Sequence, residues 1–323
     1  MDRNYQWGSQ GSILGPLLFN IYLSDLFLFI KETDIANYAD DNTLYACEKD
    51  MDLVINKLEH DCKDLITWVS NNTLKANPNK FHLLLSETDT NLSVKVGNCE
   101  IFNSNNQKFL GIIIDNKLRF NEHVSGLCKK ASQKLHALAR VAQYMTVEKR
   151  RIIMNTFINS QFGYCPLIWM FHSSRALNNR INKIQERALR IVYNDKLSNF
   201  DELLRKDGCM TIHERNIQIL ATEIYKTLNG YAPKIMDGVF QLKENLRYCT
   251  RFPFKSRNVR TVADGTETLS FIGPKIWSLI PNDIKLSASL SEFKTKIKLW
   301  KPVNFPCRLC KTFAEEVGFV QIT

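Results

Sequence analysis

The stretch "NYADDNTLYA", Asn37 to Ala46, sets two adjacent carboxylates, Asp40 and Asp41, between two short runs of strand-forming residues. It reads as a hairpin, with strands over 35–38 and 43–46 and with Asp40, Asp41 and Asn42 supplying the turn. Two negative charges side by side have two explanations. Either the turn is simply solvated, or the pair holds a divalent cation. Magnesium, a hard ion, favours carboxylate oxygens and retained water.

Upstream, "ILGPLLFNIYLSDLFLFI" is apolar over 18 residues, but Gly15-Pro16, Asn20 and Asp25 make it a poor membrane span and a good buried helix over 14–30. Downstream, Leu53, Leu58, Cys62, Leu65, Ile66 and Val69 recur at nearly helical spacing and predict a helix over 51–71. "NPNK" breaks it, and strands are expected at 81–86, 92–96 and 108–115. Helices dominate beyond Asn116. Apolar steps of three and four predict helices over 121–143 and 177–191, the latter behind candidate caps Ser173 and Ser174. Another spans 212–228 and stops at Asn229-Gly230. Small strands and turns are expected over 247–290, then a short helix over 291–300.

The net charge of +10 is unevenly spread. Residues 1–118 hold 10 Lys/Arg against 16 Asp/Glu, whereas residues 119–190 hold 13 against 3. A strongly basic segment after an acidic one suggests a polyanion partner, with an ordinary basic surface as the alternative. Arg180, Lys183, Arg187 and Arg190 share one helix face bordering the apolar stripe, where they either track a phosphate backbone or are merely solvated. No signal peptide or membrane span is read in the sequence. With nine scattered cysteines, this places the chain inside the cell, in nucleus or cytoplasm, with reduced thiols. "CRLC", Cys307 to Cys310, has the inner spacing of half a zinc site, but the other two ligands are not apparent.

The order of these motifs resembles the reverse transcriptases of non-LTR (LINE-type) retrotransposons. "QGSILGPLLFNIYLSDL" (Gln10–Leu26) followed by "YADD" is similar to two consecutive polymerase motifs of that family. "NPNKFHLLLS" is similar to the next, and "FLGIIID" (109–115) to the primer-grip hairpin. "FGYCPLIWMFHSS" and "GPKIWSLIPNDI" resemble elements beyond the polymerase core. The resemblance implies an α+β fold. A partial polymerase palm, a small antiparallel sheet with helices on one face, would occupy 1–118. A helical thumb would occupy 119–195, and a mixed C-terminal region 196–323.

It also implies an activity: template-directed addition of a deoxynucleoside triphosphate to a primer 3′-hydroxyl, with an RNA or DNA template–primer as partner and Mg²⁺ as cofactor. By resemblance Asp40 is a metal ligand and Asp41 an auxiliary one, and Lys80 protonates the leaving pyrophosphate. Gln10, Gly11 and Ser12 lie against the incoming nucleotide, Tyr38 joins the substrate site, and Phe109, Leu110 and Gly111 press on the primer end. Arg180, Lys183, Arg187 and Arg190 hold the duplex. Blander roles stand beside these: Ser12 as a helix cap, Lys80 as a surface lysine, Phe109 as a core residue.

The family's earlier metal-binding carboxylate comes from a motif well upstream of the Gln-Gly-Ser loop, and nine residues precede Gln10 here. Ser9 also stands where the family has proline. The chain therefore reads as a 5′-truncated polymerase lacking the fingers and first palm motif, with a weak or incomplete Mg²⁺ site and no activity alone. Apolar surface of the 14–30 helix is expected to be exposed for want of sheet neighbours. The alternative is a non-enzymatic nucleic-acid-binding remnant that acts through its basic helices.

Overall fold

A computed structural model describes residues 12–86, 92–241, 254, 265 and 268–302. The chain divides into two compact units, Met1–Lys117 and Leu118–Thr323.

Unit 1 is built on one long helix. Its elements are α1 (Gly15–Tyr22), β1 (Asp34–Tyr38), β2 (Asp41–Tyr45), α2 (Met51–Asn71), β3 (Ser93–Val96), β4 (Cys99–Phe102), β5 (Asn106–Phe109) and β6 (Ile112–Asp115). The strands form three separate antiparallel hairpins, β1–β2, β3–β4 and β5–β6. Helix α2 starts where Asp50 accepts the Asp52 backbone N–H, satisfying an end donor that has no intrahelical partner. One side of α2 supplies Val54 and Leu58 to a core with Leu83, Leu85, Val94 and Val96, against which Leu44 and Ala46 of the first hairpin region also pack. Another side supplies Trp68, which buries with Leu23 and Leu26. The Trp68 indole N–H donates to Asp25 Oδ1 at 3.2 Å, and Tyr22 Oη donates to the Asn72 carbonyl at 2.5 Å.

Several expectations need correction. The 14–30 segment is helical only over Gly15–Tyr22 and buries no residue within that helix. Leu14, Leu17, Leu18 and Ile21, spaced at helical intervals, are 56–61% exposed. The burial falls on Leu23 and Leu26 instead, which pack with Trp68 just beyond the end of α1. The apolar exposure expected of this segment is thus present. Residues 81–86 form no ladder: a single parallel bridge joins Leu83 to Asn103, and Leu83 and Leu85 serve the core without strand pairing. The 108–115 run is not one strand but part of a hairpin, the form that the family resemblance implied for 109–115. It turns at Leu110 and Gly111, whose φ values of 45° and 87° are left-handed. Strand β4 was not anticipated.

Unit 2 is helical: α3 (Asn121–Val141), α4 (Val147–Ile153), α5 (Pro166–Trp169), α6 (Arg175–Tyr193), α7 (Phe200–Asp207), α8 (Ile212–Leu228), α9 (Ile235–Val239), α10 (Leu269–Leu279), α11 (Asn282–Lys285) and α12 (Leu290–Leu299). A π-helical turn, Met154–Ile158, continues α4 and buries Met154 and Ile158 completely. Of the two candidate caps, Ser174 caps α6 by accepting from Leu177 N–H; reciprocal capping boxes not read from the sequence open α8 (Thr211, Glu214) and the unanticipated α7 (Asn199, Glu202). Ser173 is instead buried, its hydroxyl donating to the Met170 carbonyl.

Helix α8 is the centre, with Ile217, Leu220, Ala221 and Ile224 fully buried. Its Tyr225 stacks on Phe293 of α12 at 4.2 Å between centroids, and Gln218 donates to the Trp300 carbonyl at 2.7 Å just beyond the end of α12. Buried Gln185 of α6 donates to the Met210 carbonyl and accepts the Ile212 N–H, fastening α6 to the start of α8. The described part of 247–290 departs from expectation. Residues 269–279 are a helix despite Pro274, because Gly273 lets the backbone press against Phe240 and the apolar face finds α8. The rest of that region lies largely outside the described residues. So do Cys307 and Cys310.

Candidate nucleotidyl-transfer hairpin and cationic helix

The β1–β2 register pairs Tyr38 with Asp41, so the tip is a two-residue turn of Ala39 and Asp40. Asp41 therefore starts the return strand, where the sequence reading had put it in the turn. Ala39 sits in the left-handed region, at φ 54°, without the usual glycine. The Asn37 side-chain amide ties the turn shut, donating to Asn42 Oδ1 at 2.6 Å and to the Ala39 carbonyl at 3.2 Å. Asp40 and Asp41 are both exposed, as is Tyr38 at 67%. The hairpin thus presents two carboxylates and one phenol at a rigid tip.

Lys80 ends a 3₁₀ turn, Pro78–Lys80, opened by Asn77, which accepts the Asn79 N–H at 3.1 Å. Its side chain is exposed, while the adjacent Phe81 packs on the same core as Leu44. That shared core holds the Lys80 turn and the hairpin on one scaffold. Phe109 and Leu110 are half-buried and Gly111 is exposed. Of the loop expected to face the nucleotide, Ser12 is described and half-buried; Gln10 and Gly11 lie outside the described residues.

Among the described residues, the groups of three side chains close enough to share an ion comprise His60, Asp61 and Asp64, with ligand atoms within 4.8 Å of one another. None was anticipated as a ligand. The signal available in the sequence was a charged residue amid the apolar spacing of α2. Asp61 is fully buried, and its carboxylate is already occupied. It accepts N–H bonds from Thr33 at 2.7 Å, Glu32 at 3.0 Å and Lys31 at 3.4 Å, the Thr33 hydroxyl at 2.8 Å, and stands 3.1 Å from His60 Nδ1. Burial alone would raise its pKa, but the bonds from His60, Thr33 and Lys31 outweigh burial and hold it below the ordinary value. Asp61 is an anchor for the chain entering β1.

The donor set at the hairpin tip suits Mg²⁺ by chemistry, since carboxylate oxygens are its preferred ligands. It falls short by count. Two metals bridging attacking and leaving oxygens need carboxylates beyond one adjacent pair.

In unit 2, Arg180, Lys183 and Arg187 are exposed on α6, and no partner is recorded for Lys183 or Arg187 among the described residues. Arg190 differs from its three neighbours. Its guanidinium donates to Glu186 Oε1 at 2.8 Å and to the Lys196 carbonyl at 2.7 Å, so it serves the end of its own helix. Helix α3 lies alongside. Burial raises the pKa of the Cys128 thiol, with the Arg180 charge opposing, while Leu135, His136 and Ala139 line a cleft with Arg187, Arg190 and Ile191. These pairings fit α3 and α6 running parallel, and α3 carries exposed cations of its own, Lys129, Lys130 and Arg140. No helix among the described residues is long and apolar enough to cross a membrane.

Comparison with known proteins agrees with the hairpin and its surroundings. Residues 4–114 match the family model described as reverse transcriptase (RNA-dependent DNA polymerase). A probable RNA-directed DNA polymerase from transposon BS of Drosophila melanogaster is 25% identical over 197 residues, covering 57% of this chain and 22% of that protein. The RNA-directed DNA polymerase from mobile element jockey of the same fly is 26% identical over 133 residues, covering 36% of this chain and 14% of that protein. The chain thus spans about a fifth or less of these relatives, and no solved structure matches it significantly. Residues 4–114 are thus similar to the reverse transcriptases, and the relatives that match are RNA-directed DNA polymerases of a transposon and a mobile element.

Proposed function

We propose that this chain is a segment of an RNA-directed DNA polymerase that needs Mg²⁺ and at least one carboxylate beyond Asp40 and Asp41. Its own chemistry is therefore silent, and its remaining capacity is to bind template–primer. In this reading unit 1 is palm-like, residues 119–195 are the thumb, and 196–323 the accompanying C-terminal region. The observation that supports it is the hairpin tip: two exposed carboxylates held by the Asn37 clasp, with no third acid grouped with them among the described residues. Groups that act as a unit in catalysis lose most of the rate when one is missing. Asp40 is the metal ligand, Asp41 the auxiliary, and Lys80 the proton donor to pyrophosphate. Tyr38 and Gln10, Gly11 and Ser12 face the nucleotide, and Phe109, Leu110 and Gly111 meet the primer end.

Primer extension on an RNA template with Mg²⁺ and deoxynucleoside triphosphates tests this reading. The chain alone is expected to give no product. Extension by the chain alone that disappears in Asp40→Asn would show the site to be sufficient and the proposal wrong.

A second reading, a non-enzymatic nucleic-acid-binding remnant that acts through its basic helices, is favoured by Lys183 and Arg187, exposed on α6 and without an ion-pair partner among the described residues. Affinity for duplex should then fall steeply with salt, and replacing Arg180, Lys183 and Arg187 by Ala should flatten that slope by about three charges. Salt-independent binding would remove it.

A further inference from the structure

Behind the cationic strip, the pair α3 and α6 encloses a shallow cleft of about 260 Å³. Its walls come from Leu135, His136 and Ala139 on one helix and Arg187, Arg190 and Ile191 on the other. Leu135, Ala139 and Ile191 give it an apolar floor, which carries no group to read a hydrogen-bonding edge. The rim is different. Arg190 is held by Glu186 and the Lys196 carbonyl and forms a fixed wall. Arg187 is exposed and has no partner among the described residues, and His136 stands opposite on an exposed position of α3.

We propose that this cleft seats one unpaired nucleobase of a bound nucleic-acid strand, with Arg187 meeting the adjoining phosphate. The inference rests on reading α6 as a nucleic-acid surface and adds which form of strand it takes. The size favours a single planar ring system, because the cleft lies under the roughly 300 Å³ at which pockets for larger ligands begin. An apolar floor with an imidazole and guanidinium edge suits the π-face that every base presents, whatever its sequence. The charge favours a polyanion that continues past the cleft. Arg180 and Lys183 extend the strip toward the start of α6, and seven residues of helix set Arg180 about 10 Å from Arg187. An isolated aromatic ligand would leave those cations unused, and a paired duplex would keep its bases stacked out of reach.

The test uses the full chain and three fluorescent probes of equal length: a thymidine single strand, the same strand with abasic sites, and a blunt duplex. The base-bearing strand is expected to bind about tenfold tighter than the abasic one, the scale of one base–aromatic stack. Ala139→Leu, on an exposed position, fills the cleft without changing charge. It should erase that difference and leave the salt slope unaltered, and His136→Ala should reduce the difference while sparing the helix packing. Equal binding of base-bearing and abasic strands, or a difference that survives Ala139→Leu with the fold intact by circular dichroism, overturns the cleft but leaves α6 as a phosphate-binding surface. Absence of salt-dependent binding to all three probes overturns the surface itself, and the cleft with it.

Discussion

Removing the Asp61 carboxylate is expected to loosen unit 1 at the point where the chain enters β1. The side chain is wholly buried and accepts two short backbone N–H bonds, from Thr33 and Glu32, a longer one from Lys31, and the Thr33 hydroxyl. Hydrogen bonds to a charged group contribute about 1.5–3 kcal/mol each when the donors are otherwise unpaired. Glu32 is exposed and Thr33 half-buried, so water replaces part of what is lost. The resulting cost of Asp61→Ala is about 2–4 kcal/mol. Asp61→Asn, which keeps the shape and one acceptor, should cost roughly half of that.

Urea unfolding, followed through the buried Trp68 of the same unit, measures the loss, and hydrogen exchange over residues 31–45 locates it. The pH dependence has a definite sign. Because the folded carboxyl titrates below its ordinary 3.8, its contribution is complete above about pH 4 and is lost as pH falls through the lowered value. That part of the acid sensitivity should vanish in Asp61→Asn. Magnesium should leave the midpoint unchanged, since the carboxylate lone pairs are already taken. An unchanged midpoint in Asp61→Ala, or a Mg²⁺-dependent stabilisation lost in Asp61→Asn, would refute the anchoring role and make the His60–Asp61–Asp64 group a metal site instead.

Three other outcomes are expected. A methyl group added at Gly273 would stand 2.4 Å from Phe240 Cε1, so Gly273→Ala should cost about 1–3 kcal/mol in urea unfolding unless Phe240→Leu is made with it. Burial and the neighbouring Asp207 push the Cys209 thiol up to about 12, so iodoacetamide at pH 8 should modify it far more slowly than exposed Cys47 or Cys165; Asp207→Asn should narrow the gap. Replacing Leu17 and Ile21 by Glu should reduce self-association in analytical ultracentrifugation with less than about 1 kcal/mol change in stability, because both are more than half exposed on the apolar stripe of α1. An unchanged sedimentation profile would show that stripe to be covered in solution.

Much of the local structure was legible from residue order. Helices α2, α3, α6 and α8 followed from apolar spacing, and Ser174 marks the start of α6 through a hydrogen bond to a nearby N–H; Asp50 and Thr211 cap α2 and α8 in the same way, but the structure alone picked them out. The β1–β2 hairpin was equally plain, though its turn lies one residue earlier than the Asx-rich stretch suggests. There the Asn37 clasp and the cross-strand pairing of Tyr38 with Asp41 outweigh local turn preference.

What composition and spacing determined is which segments are helical or paired, where the charge lies, and which motifs stand in polymerase order, since each depends on neighbours a few positions away. Tertiary structure alone decided which apolar residues are covered. Leu26 lies under Trp68 while Leu17 faces water, Leu83 enters the core without a strand, and Arg187 stays open while Arg190 turns to Glu186 and Lys196. Burial depends on what arrives from distant parts of the chain, and the periodicity of a single segment carries no record of that.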